Sequence, residues 1–518
     1  MKSKKAKLAS ERKRRMRKRQ RRIQSRLRDR DWTEQDSPMF SGQSIRYEVA
    51  DRTQALSCGG IGLTHMVALR TGLRDQIDSG LQLLKRHVPY HESDHVLNIA
   101  YNLVAGGTSL DDIEMRRNDE AYLNALGAQR IPDPTTAGDF CRRFEEGDVD
   151  QLMGIINETR LRVWAEQAEQ FFDEALIDVD GTVVPTTGEC KGGMDRSYKG
   201  IWGYHPMLVS LANTREPLFV VNRPGNRPSE EGAAEYLQES IALCRRGGFR
   251  NVTLRGDTAF SQTRYLDEWD DDNVGVLFGY PACPNLVKTA RNLPKSDWSP
   301  LERTKHSEVQ TEERAKPECV KEQIVEDREY RNIRLVRESV AEFEYQPSEC
   351  NRSYRIVVVR KDLDVLRGQL LLEKDVRFFF YITNLREAAQ AEIVRKANER
   401  CEQENLIEQL KNGTRALHAP VNDLVSNWAY MVMASLAWTL KAWTALLLPT
   451  TGRWQDKHRA EKEELQRMEF KRFVNEFIQI PAQILRTGRR IVFRLLAWRR
   501  WVQVFLRAVE VFERPLQC

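Results

Sequence analysis

The sequence contains no CxxC pair; its nine cysteines, an odd number, are scattered at positions 58, 141, 190, 244, 283, 319, 350, 401 and 518. That pattern disfavours zinc ribbons and thioredoxin-like chemistry. Dispersed thiols fit a reducing cytoplasm. No apolar stretch follows the basic start of the chain, so a secretory signal is not expected there. Long apolar runs are scarce as well. One of them, Trp428 to Leu448, is long enough to span a bilayer. Lys441, Ser435, Thr439 and Thr444 interrupt it, so a buried core helix is expected and a membrane partner is not.

What the chain does have is a charge asymmetry. Residues 2–30 hold 16 Lys or Arg against two acids, Glu11 and Asp29, a net +14, while residues 31–518 sum to −8. Residues 1–31 read as a basic arm, disordered or transiently helical, attracted to phosphate. The length of 518 residues implies two to four domains.

Apolar spacing then divides the chain. From about Gly60 to Trp164 the period is helical, and residues 32–165 are expected to form a helical DNA-binding region. Within it, IPDPTTAGDFCRRF reads as a Pro-rich turn before a helix that Thr135 or Thr136 could cap, with Arg142 and Arg143 one turn on as DNA contacts. From Phe171 the pattern becomes α/β. EALIDVDGTVV, HPMLVSLAN, PLFVVNR, NVTLRGD and VGVLFGY read as strands, and a helix opening on Ser229 lies among them. Residues 166–284 are the first part of a catalytic core. A β-rich insertion over 285–384 follows, with strands NIRLVRESV, FEYQ, SYRIVVVRKD and RFFFYITN. Helices over 385–450 complete the core, and a basic helical region is expected over 451–518.

Three acids stand out. Asp178 and Asp180 are two apart on a strand and share a face. Asp257 ends another strand, where sites form in α/β proteins. Glu404 lies between Arg400 and Lys411 on one helical stripe, a carboxylate flanked by two phosphate-gripping cations. Three carboxylates on separate elements are what a two-metal phosphodiester-cutting site needs, with cations roughly 4 Å apart.

These strings, in this order, resemble the DDE transposases of bacterial insertion sequences, the branch with a ribonuclease H-like core and a β-rich insertion. The resemblance rests on LIDVDGT, YHPMLVSLAN, PLFVVNRPGN, LRGDTAF, FYITNL and the R-x3-E-x6-K of Arg400, Glu404 and Lys411, over roughly residues 55–505. Ala397 stands where that family usually has Tyr. The resemblance implies Asp180, Asp257 and Glu404 holding two Mg²⁺ ions, which Mn²⁺ can replace, while on the strand itself either Asp178 or Asp180 could be the first metal ligand. It also implies double-stranded DNA as partner, both element ends and target. A synaptic homodimer and a cytoplasmic, nucleoid-associated location follow from the same resemblance. Arg400, Lys411 and Arg223 would contact DNA, and Trp298 would stack a flipped base. Two alternatives compete. DVDGTVV and GDTAFS resemble motifs of haloacid dehalogenase-type phosphatases, but no Lys occurs from Gly200 to Leu286 and Ser261 stands where their second acid belongs. A catalytically inactive, transposase-derived DNA-binding protein is the other.

Overall fold

The computed structural model describes residues 2–28, 54–302, 328 and 331–513, apart from positions 88, 187, 189, 190, 368, 369, 488 and 489. The end of the arm and much of the polar stretch after residue 285 lie outside the described residues.

Fifteen strands are described: β1 (Ala55–Leu56), β2 (Glu174–Gly181), β3 (Val184–Pro185), β4 (Asp195–Arg196), β5 (Trp202–Tyr204), β6 (Met207–Leu211), β7 (Glu216–Val221), β8 (Asn251–Gly256), β9 (Val274–Tyr280), β10 (Ser299–Pro300), β11 (Arg331–Tyr345), β12 (Tyr354–Arg367), β13 (Leu370–Thr383), β14 (Ala482–Thr487) and β15 (Arg490–Leu495). Nine of them form one mixed sheet in the order β10-β11-β12-β13-β9-β8-β2-β6-β7. The central strand β2 runs antiparallel to β6 and parallel to β8. Every residue of β6 and β7 is buried, as continuous apolar runs require when both sheet faces are covered.

The β-rich insertion is not a sheet of its own. β13 pairs antiparallel with β9 over Phe380–Thr383, so β10–β13 prolong the core sheet. NIRLVRESV and FEYQ, expected as two strands, are one strand, β11, with a register shift between Leu335 and Arg337. The intervening residues pair without a break, so no turn separates them.

The Trp428–Leu448 run serves packing. It lies mostly within the Leu424–Leu446 helix, where every residue from Ser426 onward is buried. Its indoles tie it to the sheet: Trp438 donates to the Arg215 carbonyl at 2.6 Å and Trp443 to Glu216 Oε1 at 2.8 Å. Lys441 is satisfied by the Gln466 carbonyl at 2.7 Å and lies over the Trp438 ring. Among the described residues, no helix is long and apolar enough to cross a membrane.

The helical region packs on that same helix through Glu92–Val104 and Glu146–Trp164. Two local expectations change there and in the core. Asp133, not Thr135 or Thr136, caps the Pro134–Cys141 helix, accepting from the Thr136 N–H at 2.8 Å. The helix expected to open on Ser229 is Ala233–Arg246, entered through a left-handed Gly232.

The C-terminal region departs further from expectation. ILRTGRRIVFRLL contains the hairpin β14–β15, and β14 also pairs with β1. Its β-branched and aromatic residues favour strands, and the Thr-Gly step interrupts a helix. A helix resumes at Val502–Phe512. At the other end, Lys2–Arg28 is a single helix with Met16 buried and Arg12 3.8 Å from Glu513. The described cysteines Cys58, Cys141, Cys244, Cys283, Cys350 and Cys401 are unpaired.

Candidate functional site

The two strand-end acids sit side by side. In the parallel pairing of β2 with β8, Val179 faces Gly256, so Asp180 and Asp257 follow at the same level at the carboxyl ends of adjacent strands. Gly256 permits this closeness: a Cβ there would lie 2.9 Å from Phe260 Cβ and 3.1 Å from Val179 Cγ1. Asp180 accepts from its neighbour's N–H at Gly181 (2.8 Å) and from Arg400 Nη1 (3.1 Å). Burial pushes the Asp180 carboxyl up to about 6, against the pull of Arg400, and the nearby charge of Asp257 adds to the rise. Asp257 is half-buried and caps the Thr258–Phe260 turn by accepting from the Ala259 N–H at 2.9 Å.

Asp178 shares the face of Asp180 but is already engaged. It is fully buried, and both its oxygens accept from Arg255, at 2.7 Å from Nε and 2.9 Å from Nη2. Arg255 also donates to the Lys396 carbonyl at 2.8 Å. The pair thereby clamps β2 and β8 to the Gln390–Asn398 helix. Burial raises the Asp178 carboxyl above the usual range, opposed by Arg255.

Glu404 is exposed on the Cys401–Glu408 helix, one turn beyond Arg400. Its neighbour Gln403 is buried and seats that helix on the sheet, hydrogen bonding to the Leu208 carbonyl at 3.1 Å and to Ser210 Oγ. Sequence reading missed Gln403, because a polar residue in a charged helix gives no sign of facing inward. Among the described residues, only His87, His91 and Glu92 bring three metal-ligand atoms within 4.8 Å of one another. Asp180, Asp257 and Glu404 are therefore set wider than that.

Lys411 lies in a π-helical turn, Gln409–Gly413. Its ammonium donates to Thr182 Oγ1 (2.6 Å) and to the Val183 carbonyl (2.9 Å). It holds the chain that leaves Asp180, and burial lowers its pKa. Arg223, the expected DNA contact, is buried, with Nε and Nη1 donating to the carbonyls of His205, Pro228, Ser229 and Glu231 and Nη2 without a hydrogen-bond partner among the described residues. Trp298 is half-buried, with its ring 6.2 Å from that of Phe378 and Arg360 over its face. Arg142 and Arg143 are exposed, and Arg142 pairs with Asp139 at 2.6 Å.

Two aromatics escaped the sequence reading. Tyr198 is 79% exposed and Trp202 is 54% exposed; Trp202 is on β5 of the small sheet β3-β5-β4, and Tyr198 is on the turn between β4 and β5. β3 starts just after β2 ends and pairs with β5, which places this loop on the side where β2 ends. The string SYKGIW, two aromatics flanking a cation and a glycine, carries the signal that could have found them.

The site is thus a pair of acids at strand ends of a mixed α/β sheet, with an Arg-bearing helix beside them. The chain belongs to the family described as transposase DDE domain group 1, which matches residues 39–515. That assignment displaces the phosphatase alternative. None of the curated proteins matches the chain. Among solved structures, the chain is similar to a piggyBac transposase in its synaptic complex with hairpin DNA, determined by cryo-EM. The identity is 9%, over 82% of this chain and 81% of that one, with a TM-score of 0.35, a likeness too slight to carry an argument.

Proposed function

We propose that this transposase-family chain cuts the ends of a DNA element and joins the freed 3′-hydroxyl to target DNA, with Asp180, Asp257 and Glu404 as ligands of two Mg²⁺ ions. The observation that carries this is the Asp180–Asp257 pair. Burial holds the Asp180 carboxyl up to about 6, with the Asp257 charge adding to the rise, and a divalent cation at the two carboxylates would offset both. The fit extends to Arg400, a cation already seated on Asp180. When bound, the two metal ions activate the attacking oxygen and stabilise the leaving one.

The protein's own groups then do the positioning. Arg400 orients Asp180 and offers a planar fork to a DNA phosphate. Lys411 holds the chain at Thr182 and Val183, and Gln403 fixes the helix that presents Glu404. Asp178 acts as the buried partner of Arg255 rather than as a ligand. Exposed Arg142 and Arg143 contact DNA from the helical region, and Tyr198 and Trp202 join Trp298 as base-stacking groups. The strand order supports a ribonuclease H-like core: β2, β6 and β7 form an antiparallel set, and β8 and β9 continue it in parallel. Cutting two ends together calls for a synaptic homodimer.

The test is cleavage of a labelled duplex carrying the inverted repeats that flank the gene, with Mg²⁺ or Mn²⁺. Asp257→Ala and Glu404→Ala are expected to lose more than about 100-fold in nicking while still binding DNA, since even outer-shell partners of a metal cost roughly 10–100-fold. Nicking that survives either substitution would refute the triad. A wild type that binds the ends and never cuts them would identify the inactive DNA-binding alternative.

A further inference from the structure

The helical region holds a second set of ligand-type side chains, separate from the acids at the strand ends. His91 and Glu92 stand at the start of the Glu92–Val104 helix, and His87 lies on the loop before it. Their ligand atoms all fall within 4.8 Å of one another. His87 Nε2 is 3.0 Å from Glu92 Oε2, and the two imidazoles stack with centroids 4.4 Å apart.

Glu92 is the informative member. A carboxylate 1% exposed needs a partner for each oxygen. Oε1 has two, the N–H groups of Leu83 (3.2 Å) and Leu84 (3.0 Å). Oε2 is buried without a hydrogen-bond partner and faces the His87 nitrogen. The backbone bonds to Oε1 fix the carboxylate's orientation, as outer-shell bonds do for metal ligands. Asp94 accepts from the His91 N–H at 2.9 Å, which fixes the backbone that carries the second imidazole. Glu92 and Asp94 in the first turn offset the positive end of the helix dipole, which would otherwise oppose a cation. His95, one turn on, stacks on Phe140 and meets Tyr90 edge-on, outside the cluster.

We propose that His87, His91 and Glu92 bind a divalent transition ion of the zinc class. Two imidazoles and one carboxylate suit Zn²⁺, with water completing a tetrahedron, and they suit Mg²⁺ poorly. The ion ties the loop at His87 to the start of a helix that packs on Leu424–Leu446. The donor set differs in kind from the all-carboxylate set of Asp180, Asp257 and Glu404.

The experiment uses the full chain and Zn²⁺ alone as probe, in buffer with excess Mg²⁺ to occupy the carboxylate site. Bound zinc is measured after gel filtration, and the thermal midpoint is followed with and without added zinc. Wild type and Asp257→Asn are expected to retain one equivalent and to gain stability with zinc. His87→Ala and His91→Ala are expected to lose more than about 100-fold in zinc affinity, together with the zinc-dependent gain. His87→Gln, on the exposed loop, gives a second reading if His91→Ala fails to fold. Zinc retained by the His87 variants, zinc lost in Asp257→Asn, or none bound by wild type would each overturn the proposal.

Discussion

Asp180 and Asp178 show how two acids on one strand face diverge through their partners. Asp180 is raised to about 6 against an ordinary 3.8. A folded-state acid with a raised pKa binds protons more tightly than the unfolded chain, so stability falls as pH rises from about 4 through 6 and the penalty is complete above that. The expected result is that Asp180→Asn, in metal-free buffer at pH 8, is more stable than wild type by at most about 3 kcal/mol, read as a higher thermal midpoint. The difference should vanish near pH 4, and Mg²⁺ should reverse it by stabilising only the wild type. Equal midpoints at pH 8 would contradict a raised Asp180 carboxyl. Asp178 is raised by burial as well, but its charge is paired with Arg255. Arg255→Ala leaves that carboxylate buried and alone, and a loss of about 3–5 kcal/mol is expected in denaturant titration. A loss under about 1 kcal/mol would mean that water reaches the pair.

At the scale of elements, the Glu216 carboxylate at the start of β7 joins two helices to the sheet. Its Oε1 accepts from Arg160 Nε at 3.0 Å and from Trp443 Nε1 at 2.8 Å, and its Oε2 accepts from Trp164 Nε1 at 3.1 Å. Arg160 also reaches the Pro217 carbonyl at 2.7 Å. Both charged partners are fully buried, so neither has water to fall back on. Glu216→Ala is expected to cost about 3–5 kcal/mol and to loosen Glu146–Trp164 and Leu424–Leu446 together. Hydrogen exchange on the two helices is the check, and faster exchange in one alone would separate them. The strands β2, β6, β7, β8 and β9 were legible because each is a short apolar run bounded by polar residues. The hairpin β14–β15 was not, because its Arg-rich sequence alternates too weakly to tell a strand from a helix.

For the whole molecule, the basic arm decides the sign of the charge. Removing residues 2–28 turns the net charge from +6 to −8. Each phosphate that the arm no longer neutralises should flatten the slope of log affinity against log salt by roughly 0.9. DNA binding of the truncated chain, followed by anisotropy across salt concentrations, should be weaker and less salt-dependent than that of the full chain. An unchanged slope would assign phosphate binding to the folded body instead.

Local runs and residue types encode the α/β class, the acids at two strand ends and the arm's charge, so each of these was legible in the chain. It also carried the order of motifs that points to the DDE family. Which acids have partners depends on how distant segments pack. Arg255 reaches Asp178, Arg400 reaches Asp180, and Gln403 turns inward under Glu404 because strands far apart in sequence pair in one sheet with a helix across them. The same long-range pairing made the β-rich insertion a continuation of the core sheet, since β13 meets β9 along an edge that no local pattern announces.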